Sequence, residues 1–476
     1  MQSVAQFLVT ASLVIAIAYL AIVATTAIVA ALRAGGRREE PAESHEALSV
    51  SRFTIPVSII VPVSKNSASV SPAISSLLAL NYPEFEVIVV VDAGTPDMLE
   101  ALTHDWHLEA REFFYRRTLE TSGVCRIYRS GTDGRLMVID KTPVVGTVRS
   151  VPVVRTFRSA SEGYSDALNC GVDVSRYRYF MSVSPEVVFD SDALLRVMAS
   201  ALRDPAHVVG ASNHVEQGAD ATESAYASLV DERAIVKGEQ EGVVGRVAAL
   251  FQRLASARSL MDSRLAWRHL GAGLGPKGAV VVWRRDAVIK LGGFSQTAAD
   301  PDLDMMFRLQ TTGGEGAGRF DRGVDVFGRV GPQPLRGALR LAGRRQLAAL
   351  QILWACLGGK ARSLDPRTLA YFVESEIVTP LAQAWIVTAT LTGAALGWFT
   401  WSAVVLALVL LSFGNAAVSG AALLLRGASP GAPEEPELRR LLVAGPLEFV
   451  LYRPVLAVAR IAAAMAFVTS GLVRRS

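Results

Sequence analysis

The feature that most constrains this chain is an uncharged apolar stretch of 26 residues near its start, from residue 7 to residue 32. A stretch of this length crosses the hydrocarbon core of a bilayer as a tilted helix. A cleaved signal peptide would begin with basic side chains and have a shorter apolar region, whereas MQSVAQ carries no charged side chain. Arginines follow at 33, 37 and 38. The pattern predicts a membrane anchor over residues 1–34, with its N-terminus outside.

A second apolar block runs from about residue 377 to residue 425 and is interrupted by GWFTWS at 397–402. The aromatic residues of this break suit a membrane interface, so the block predicts two helices, about 378–398 and 402–425. We assign residues 373–426 to this pair. The hydrophobic fraction of 51% and the mean hydropathy of +0.32 agree with a multi-pass membrane protein.

The tail, residues 427–476, is ambiguous. Its apolar part, 445–470, contains Glu448, Arg453 and Arg460, and charge at the centre of a bilayer is costly. An amphipathic pair on the cytoplasmic surface is therefore favoured over a fourth span. The expected location is the inner membrane, with three spans, the N-terminus outside, and the main domain and C-terminus in the cytoplasm.

Charge and cysteine content exclude several classes of protein. A net charge of +4 is small for 476 residues, and no basic patch with interleaved aromatics is visible, which argues against a nucleic-acid partner. The three cysteines, Cys125, Cys170 and Cys356, are far apart and have no metal-ligand spacing. A disulfide framework or a zinc site is not expected, and a reducing cytoplasm is the simplest setting.

The middle of the chain follows a polar linker at residues 35–52 and extends over residues 53–330. It opens with a β-branched run at 55–63, a helical stretch at 71–83 and a second apolar run that ends at Asp92. Strand, helix, strand with nearly continuous apolar strands is typical of a buried parallel sheet. An acid at the carboxyl end of such a strand can meet a ligand, although for Asp92 taken alone an ordinary turn aspartate is the favoured interpretation.

Two further acids occupy comparable positions. The stretch 159–195 reads as helix, strand, turn and helix, and its turn contains Glu186. The stretch 278–294 reads as strand, helix and glycine turn, and ADPDLDMMFRL (299–309) then begins a helix with Asp302. Strand ends and helix starts allow these acids to converge on one crevice. Helix N-capping is the competing explanation for Asp300 and Asp302.

Taken in order from about residue 55 to residue 356, these segments resemble the membrane-bound family-2 glycosyltransferases of the GT-A fold. VSIIVPVSKN and NYPEFEVIVVVDAGTPD are similar to the opening of that family, and GYSDALNCGVD is similar to its "GK-ADALN-G" segment. The resemblance implies an α/β fold with a mixed, mostly parallel sheet, flanking helices, and transmembrane and interfacial α-helices. It also implies that Asp92 contacts the base of a nucleotide-sugar and that Asp166 is a further nucleotide contact. The usual lysine of the second segment is Tyr164 here.

The family's Asp-x-Asp motif binds Mg or Mn and the diphosphate, and Ser184, Pro185 and Glu186 stand in its place. The resemblance makes Glu186 the metal ligand and places Ser184 beside the donor. Because Ser184 lacks the charge of the first aspartate, metal binding is in doubt. The general base of the family corresponds to Asp302, which a helix dipole is expected to keep ionised.

A Gln-x-x-Arg-Trp motif marks the polymer-making branch of this family. Here Gln346 is followed by Ala349 and Leu350 at the Arg and Trp positions, with Trp354 one turn beyond. The resemblance assigns Gln346 and Trp354 to the acceptor or interfacial side. The surrounding amphipathic segment, within residues 331–372, has arginines suited to lipid phosphates. A basic interfacial helix with no catalytic part is the alternative.

Two functions follow from the resemblance. The first is inverting transfer of a sugar from a nucleotide-diphosphate sugar to a lipid-linked or polysaccharide acceptor at the inner membrane face. The second is a non-catalytic homologue that binds or scaffolds other subunits of a glycan-synthesis complex, because Ser184, Tyr164, Pro301, Ala349 and Leu350 all replace motif residues. Membrane lipids are expected partners in both.

Overall fold

The computed structural model describes fourteen segments of the chain. They are residues 2–35, 54–64, 70–92, 96–141, 159–185, 187–213, 215–217, 243–270, 280–312, 319–322, 326–330, 335–360, 366–427 and 435–473. Glu186 and most of 214–242 lie outside these segments.

A nine-stranded mixed sheet forms the centre of the molecule, in the order β11-β8-β10-β6-β1-β2-β5-β4-β3. Its four central strands, β6, β1, β2 and β5, run parallel, and antiparallel strands flank them. A three-stranded sheet, β7-β12-β9, lies beside it. The strands are β1 Val57–Ser64, β2 Phe85–Asp92, β3 Leu108–Ala110, β4 Arg126–Ser130, β5 Leu136–Asp140, β6 Tyr179–Val183, β7 Val187–Phe189, β8 Val208–Asn213, β9 Val215–Gln217, β10 Val280–Arg284, β11 Arg319–Arg322 and β12 Val326–Val330.

Fourteen α-helices are described, together with two π-helical segments, Cys356–Lys360 and Glu374–Val378. The α-helices are α1 Gln2–Gly35, α2 Ser71–Leu78, α3 Pro96–Asp105, α4 Ser159–Val174, α5 Ala193–Arg203, α6 Val243–Leu270, α7 Arg285–Lys290, α8 Pro301–Thr312, α9 Leu335–Ala355, α10 Pro366–Val373, α11 Thr379–Ala395, α12 Trp401–Gly427, α13 Glu435–Leu451 and α14 Arg453–Val473.

Both faces of the central sheet are covered by helices, which explains why its strands are apolar at nearly every position. Along β1, Ile59 and Val61 pack with α2, α3 and α5 on one face, whereas Ile60 packs with α4, α7 and α8 on the other. Alternate residues of a strand point to opposite faces, so a strand buried on both sides needs a continuous apolar run. The predicted α/β architecture with a mixed sheet and flanking helices is confirmed.

The elements predicted around the central sheet are present close to their expected bounds. The predicted strands at 55–63 and 86–92 are β1 and β2, and the helix starting near residue 299 is α8. The long helix α6 was not predicted, because its sequence has no clear apolar stripe and follows a polar segment. The middle of α6 nevertheless packs against α12 and α13, through Phe251 and Leu254 among others.

In the segments that the structure describes, three helices are long and apolar enough to span a membrane: Val4–Val29, Pro366–Ala395 and Trp401–Leu424. The second begins earlier than the predicted residue 378, because α10 and a π-helical segment continue into α11 without a break. Leu13 and Leu20 of α1 pack against Ile386 of α11 and Leu411 of α12. The α13–α14 pair passes the same test only as a bent unit, with a bend of 44°.

Helix α4 lies unusually close to β1, and Gly171 makes this approach possible. A Cβ atom at Gly171 would lie 2.5 Å from Cγ2 of Ile60, which is fully buried. Because Ile60 is β-branched and packed on all sides, its methyl group has little room to move.

We therefore expect Gly171→Ala to lower the stability of the domain by roughly 1–3 kcal/mol, the usual cost of overpacking a core. The measurement is the thermal-unfolding midpoint of the detergent-solubilised chain. Gly134→Ala is the matched control, since nothing lies within 4 Å of its added Cβ. Equal midpoints for the two variants would contradict the close packing of α4 on β1.

Candidate functional site

The candidate site lies where the parallel strands of the central sheet end. β2 ends at Asp92, β5 ends at Asp140 and is followed by Lys141, and β6 is followed by Ser184. Because these strands are parallel, their carboxyl ends reach the same edge. Ligands of open α/β sheets bind outside this edge, which is where the polar residues of this chain are collected.

One turn of α4 organises the polar residues at this edge. Gly163 lies against the Asp92 carboxylate, since a Cβ there would be 2.5 Å from Oδ2 of Asp92. The next residue, Tyr164, donates its hydroxyl to Oδ2 of Asp302 at 3.1 Å. Ser165 Oγ donates to the carbonyl of Ser295 at 2.9 Å. The turn therefore ties β2, α8 and the loop that precedes α8 to one short segment.

At the start of α8, Asp300 and Asp302 make different contacts, and only one of them caps the helix. Asp300 precedes Pro301, the first residue of the helix, and its Oδ1 accepts the backbone N–H of Leu303 at 3.2 Å. Asp300 is therefore the N-cap. Asp302 makes a different set of contacts: Oδ2 accepts from Tyr164, and Oδ1 accepts from Ser182 Oγ at 3.5 Å. Its carboxylate faces the sheet edge and not its own helix.

The Asp302 carboxyl group is held partly protonated at neutral pH. Its pKa is raised from an ordinary value of 3.8 to about 7, chiefly by desolvation and next by the neighbouring charge of Asp300. Hydrogen bonds from Tyr164 and Ser182 and the charge of Arg344 act in the opposite sense. The expectation that the helix dipole keeps Asp302 ionised is wrong, because burial outweighs the dipole. A carboxyl group with this pKa suits a general base near pH 7.

Asp166, expected to contact the nucleotide, is engaged within the protein. Its carboxylate forms an ion pair with Lys141, whose side chain is completely buried, and accepts the backbone N–H of Ser122 at 2.8 Å as well as the Ser122 hydroxyl. These contacts hold the segment before β4 and the end of β5 against α4. Asp166 is thus a positioning residue of the site in this arrangement.

Asp92 lies beside this cluster and is half-buried. Burial raises the pKa of its carboxyl group, Lys141 lowers it, and Asp166 raises it. Asp92 therefore feels the charge of both members of the Lys141–Asp166 ion pair. Asp92 is the member of the cluster that lies at the strand end, in the position where the resemblance expects the nucleotide base.

Gln346 and Trp354, the residues expected on the acceptor side, both lie on α9. Gln346 is 2% exposed, and neither of its amide atoms has a partner among the described residues. Residues of α9 that face α8 include Gln351, which lies about 140° around the helix from Gln346 at 100° per residue. Trp354 is 56% exposed. Ala349, at the arginine position of the motif, packs into an apolar cluster with Leu303 and Phe307 of α8.

The described residues do not by themselves fit a divalent metal. Within the described segments, no three His, Cys, Asp or Glu side chains lie close enough to hold an ion. Ser184 offers a neutral hydroxyl, and Glu186, the expected ligand, lies outside these segments. Mg²⁺ and Mn²⁺ need several oxygen ligands, with carboxylates among them.

Three residues of the site were not predicted there from the sequence. Lys141 directly follows the apolar strand 136–140, which is the same pattern that singled out Asp92. Ser122 has no signal in the sequence, because its contact with Asp166 joins residues 44 positions apart. Arg344 was expected on lipid phosphates, whereas its Nε donates to the carbonyl of Ala299 at 3.4 Å and its charge acts on Asp302.

Comparison with known proteins gives a structural likeness only. No family model matches the chain, and no curated protein matches it in sequence. Among solved structures, the mannosyltransferase PcManGT from Pyrobaculum calidifontis, in complex with GDP-Man and Mn²⁺, aligns with a TM-score of 0.50 and 16% identity. The alignment covers 92% of this chain and 99% of that one. The chain has a GT-A fold.

Two further structures align over shorter or less similar regions. Glucosyl-3-phosphoglycerate synthase from Mycobacterium tuberculosis, in complex with Mn²⁺, UDP and phosphoglyceric acid, has a TM-score of 0.37 and 12% identity over 69% of this chain and 86% of that one. S. aureus TarS has a TM-score of 0.35 and 14% identity over 82% of this chain and 55% of that one. At these identities the likeness concerns the fold, and the site residues carry any argument about chemistry.

The raised pKa of Asp302 makes the stability of the folded protein depend on pH. The folded-state pKa of about 7 exceeds the ordinary 3.8, so the stabilising contribution of this group is complete below about 3.8 and is lost as the pH rises through about 7. Asp302→Asn removes the ionised form. We expect the variant to gain thermal stability over the wild type at about pH 8 and to gain much less at about pH 4. A difference that does not change with pH would contradict the raised pKa.

Proposed function

We propose that the chain transfers a sugar, with inversion, from a nucleotide-diphosphate sugar to a lipid-linked or polysaccharide acceptor at the inner face of the membrane. The observation that carries this proposal is the Asp302 carboxyl group at the sheet edge, which Tyr164 and Ser182 hold by hydrogen bonds and whose pKa is about 7. The likeness to a mannosyltransferase bound to GDP-Man supports the donor class.

The reaction needs a base at this position. The acceptor hydroxyl attacks the anomeric carbon from the face opposite the leaving group, its O–H bond breaks, and the nucleoside diphosphate departs with the electrons of the C1–O bond. Asp302 accepts the hydroxyl proton as the new glycosidic bond forms. Asp92 contacts the base of the nucleotide, and Asp166 acts by fixing Lys141 and Ser122 around it.

The remaining assignments from the sequence complete the proposal. Ser184 lies beside the donor, and Glu186 is the ligand of any Mg²⁺ or Mn²⁺ that the donor brings. Gln346 and Trp354 belong to the acceptor or membrane side of α9. The three candidate spans and the arginines that follow α1 support an N-terminus outside the membrane and a central domain in the cytoplasm.

A non-catalytic homologue within a glycan-synthesis complex is the second candidate. It is favoured by the neutral Ser184 and by the internal pairing of Asp166 with Lys141, which leave fewer groups to hold a charged diphosphate. In this role the GT-A fold would bind a nucleotide-sugar or a partner without turnover.

Asp302→Asn tests the proposed base. Loss of general-base catalysis lowers rates by about 10²–10⁴-fold. The assay measures nucleotide release by purified protein from UDP- and GDP-sugars, with and without Mn²⁺, in the presence of membrane-lipid extract as a source of acceptors. Asp304→Asn is the matched control on the same helix, because Asp304 pairs with Arg308 and not with the sheet edge. Asp304→Asn should retain the wild-type rate.

Two outcomes decide between the candidates. Release that depends on Asp302 but not on Asp304 supports the transferase. No release with any donor, together with donor binding that Asp302→Asn leaves unchanged, would overturn the transferase and favour the non-catalytic subunit.

The pH dependence of the reaction should follow the Asp302 carboxyl group. The ionised form is the base, so kcat/KM should rise with pH and level off above about 7. Tyr164→Phe removes a hydrogen bond that stabilises the ionised Asp302 carboxylate. The midpoint of the pH–rate profile of this variant should therefore move to higher pH. Asp300→Asn removes a neighbouring negative charge, and its midpoint should move to lower pH. Asparagine is also a good N-cap, so α8 should remain intact.

The measurement is a full pH–rate profile of nucleotide release for the three proteins. Midpoints that move together in one direction, or that do not move, would show that Asp302 does not control the rate.

A further inference from the structure

Glu448 of α13 is a buried acid in a part of the chain that had been expected on the membrane surface. Its side chain is 2% exposed. It forms an ion pair with Arg258 of α6, and Arg453 lies on the same carboxylate oxygen with Nε 3.6 Å away. Arg258 also donates to Asn415 Oδ1 at 2.9 Å and to Ser419 Oγ at 3.0 Å, both on α12. The charges of this region are therefore turned inward and paired.

The position of Glu448 along α12 gives its depth. α13 runs antiparallel to α12: Leu442 lies beside Gly420, Gly445 beside Ala416, and Glu448 beside Asn415. Asn415 precedes the inner end of the candidate span, Leu424, by nine residues. At 1.5 Å per residue this distance is about 14 Å. If α12 spans the bilayer, the ion pair lies well inside the inner leaflet.

The outer face of α13 is apolar over the same length. Leu442, Val443, Leu447, Val450 and Leu451 are all between 43% and 72% exposed. This face continues the exposed apolar surface of α12, which includes Leu410, Phe413 and Leu424. Arg439 and Arg440, also exposed, stand at the beginning of α13. Basic residues at one end followed by an apolar outer face are typical of a helix that enters a membrane from the cytoplasmic side.

We propose that α13 inserts into the inner leaflet beside α12, with lipid acyl chains covering its apolar face, and that α6 of the central domain follows it there to place Arg258 against Glu448. An unpaired carboxylate at this depth would be costly, and pairing with Arg258 offsets part of that cost. The free-energy cost of charge in the bilayer, which favoured a surface location, therefore no longer opposes insertion, because the charged side chains do not face lipid.

The insertion gives the central domain its own attachment to the bilayer. α6 follows β9 and precedes β10 in the domain, so its contact with α12 and α13 fixes the height of the central sheet relative to the spans. This attachment is independent of whether the sheet edge catalyses transfer.

The decisive experiment measures the depth of α13 by spin labelling. Single cysteines replace Leu447 and Arg440 in the full chain, in which Cys125, Cys170 and Cys356 have been changed to alanine, and the labelled proteins are reconstituted into lipid vesicles. The two positions are seven residues apart, so they share one face of α13 and differ by about 10 Å along its axis. Collision with O₂, which enters lipid, is compared with collision with a water-soluble nickel chelate.

We expect the label at position 447 to favour O₂ over the nickel chelate several-fold more than the label at position 440. Equal access of the nickel chelate to both positions would mean that α13 lies on the surface and would overturn the proposal. Low access of both reagents at position 447 would mean that another protein surface covers α13, which would also overturn it.

The ion pair provides a second measurement that needs no labels. Arg258→Ala removes the nearer of the two arginines that pair with Glu448 and leaves only Arg453, whose Nε is 3.6 Å away, so we expect loss of most of the folded protein, measured by size-exclusion chromatography after detergent extraction. The triple variant Arg258→Met, Glu448→Leu and Arg453→Met should restore it, because the whole charged cluster is then removed. Arg440→Ala is the control and should behave as the wild type. Wild-type recovery of Arg258→Ala would contradict a buried pair at this depth.

Discussion

The contact of one α4 turn with the ends of the parallel strands is the interaction on which the site depends. Gly163 allows the helix to meet Asp92, Tyr164 reaches Asp302, and Asp166 holds Lys141 and Ser122. The turn can lie so close because Gly171, two turns later, brings α4 onto β1 without a side chain between them. Removing this packing would separate groups that come from β2, β5, β6 and α8.

The same closeness explains the chemistry of Asp302. A carboxylate on the first turn of a helix is ordinarily stabilised by the helix dipole. In this chain the start of α8 packs against the sheet, and Asp300 caps the helix. Asp302 is therefore poorly solvated and lies beside a second acid, Asp300. Tyr164, at the position where the resemblance has a lysine, supplies a hydrogen bond in place of a cation. The altered motif residue thus keeps a direct contact with the candidate base.

Charge pairing has a second role at the membrane. Glu448, Arg453 and Arg258 would each be costly in a lipid environment, but together they form a cluster that is enclosed by α6, α12 and α13. The helices present apolar side chains outward around it. A hydropathy profile sums all residues of a helix and cannot show that the charged ones share its inner face.

The amino-acid sequence by itself determined the local elements and their class. The uncharged stretch after residue 7 and the apolar block before residue 425 predict helices of spanning length, and the β-branched runs at 55–63 and 86–92 predict buried parallel strands. These features depend on the composition of neighbouring residues, so they can be read from the sequence alone. The position of Asp302 at the start of α8 was predictable for the same reason.

Only the tertiary structure decided which side chains meet. Lys141 with Asp166, Ser122 with Asp166, and Arg258 with Glu448 join residues that are 25, 44 and 190 positions apart. Such pairs leave no periodic signal, because they depend on how helices pack and not on where each helix begins. The same packing buries Gln346 and raises the pKa of Asp302 to about 7, since burial is a property of the assembled fold and not of the local sequence.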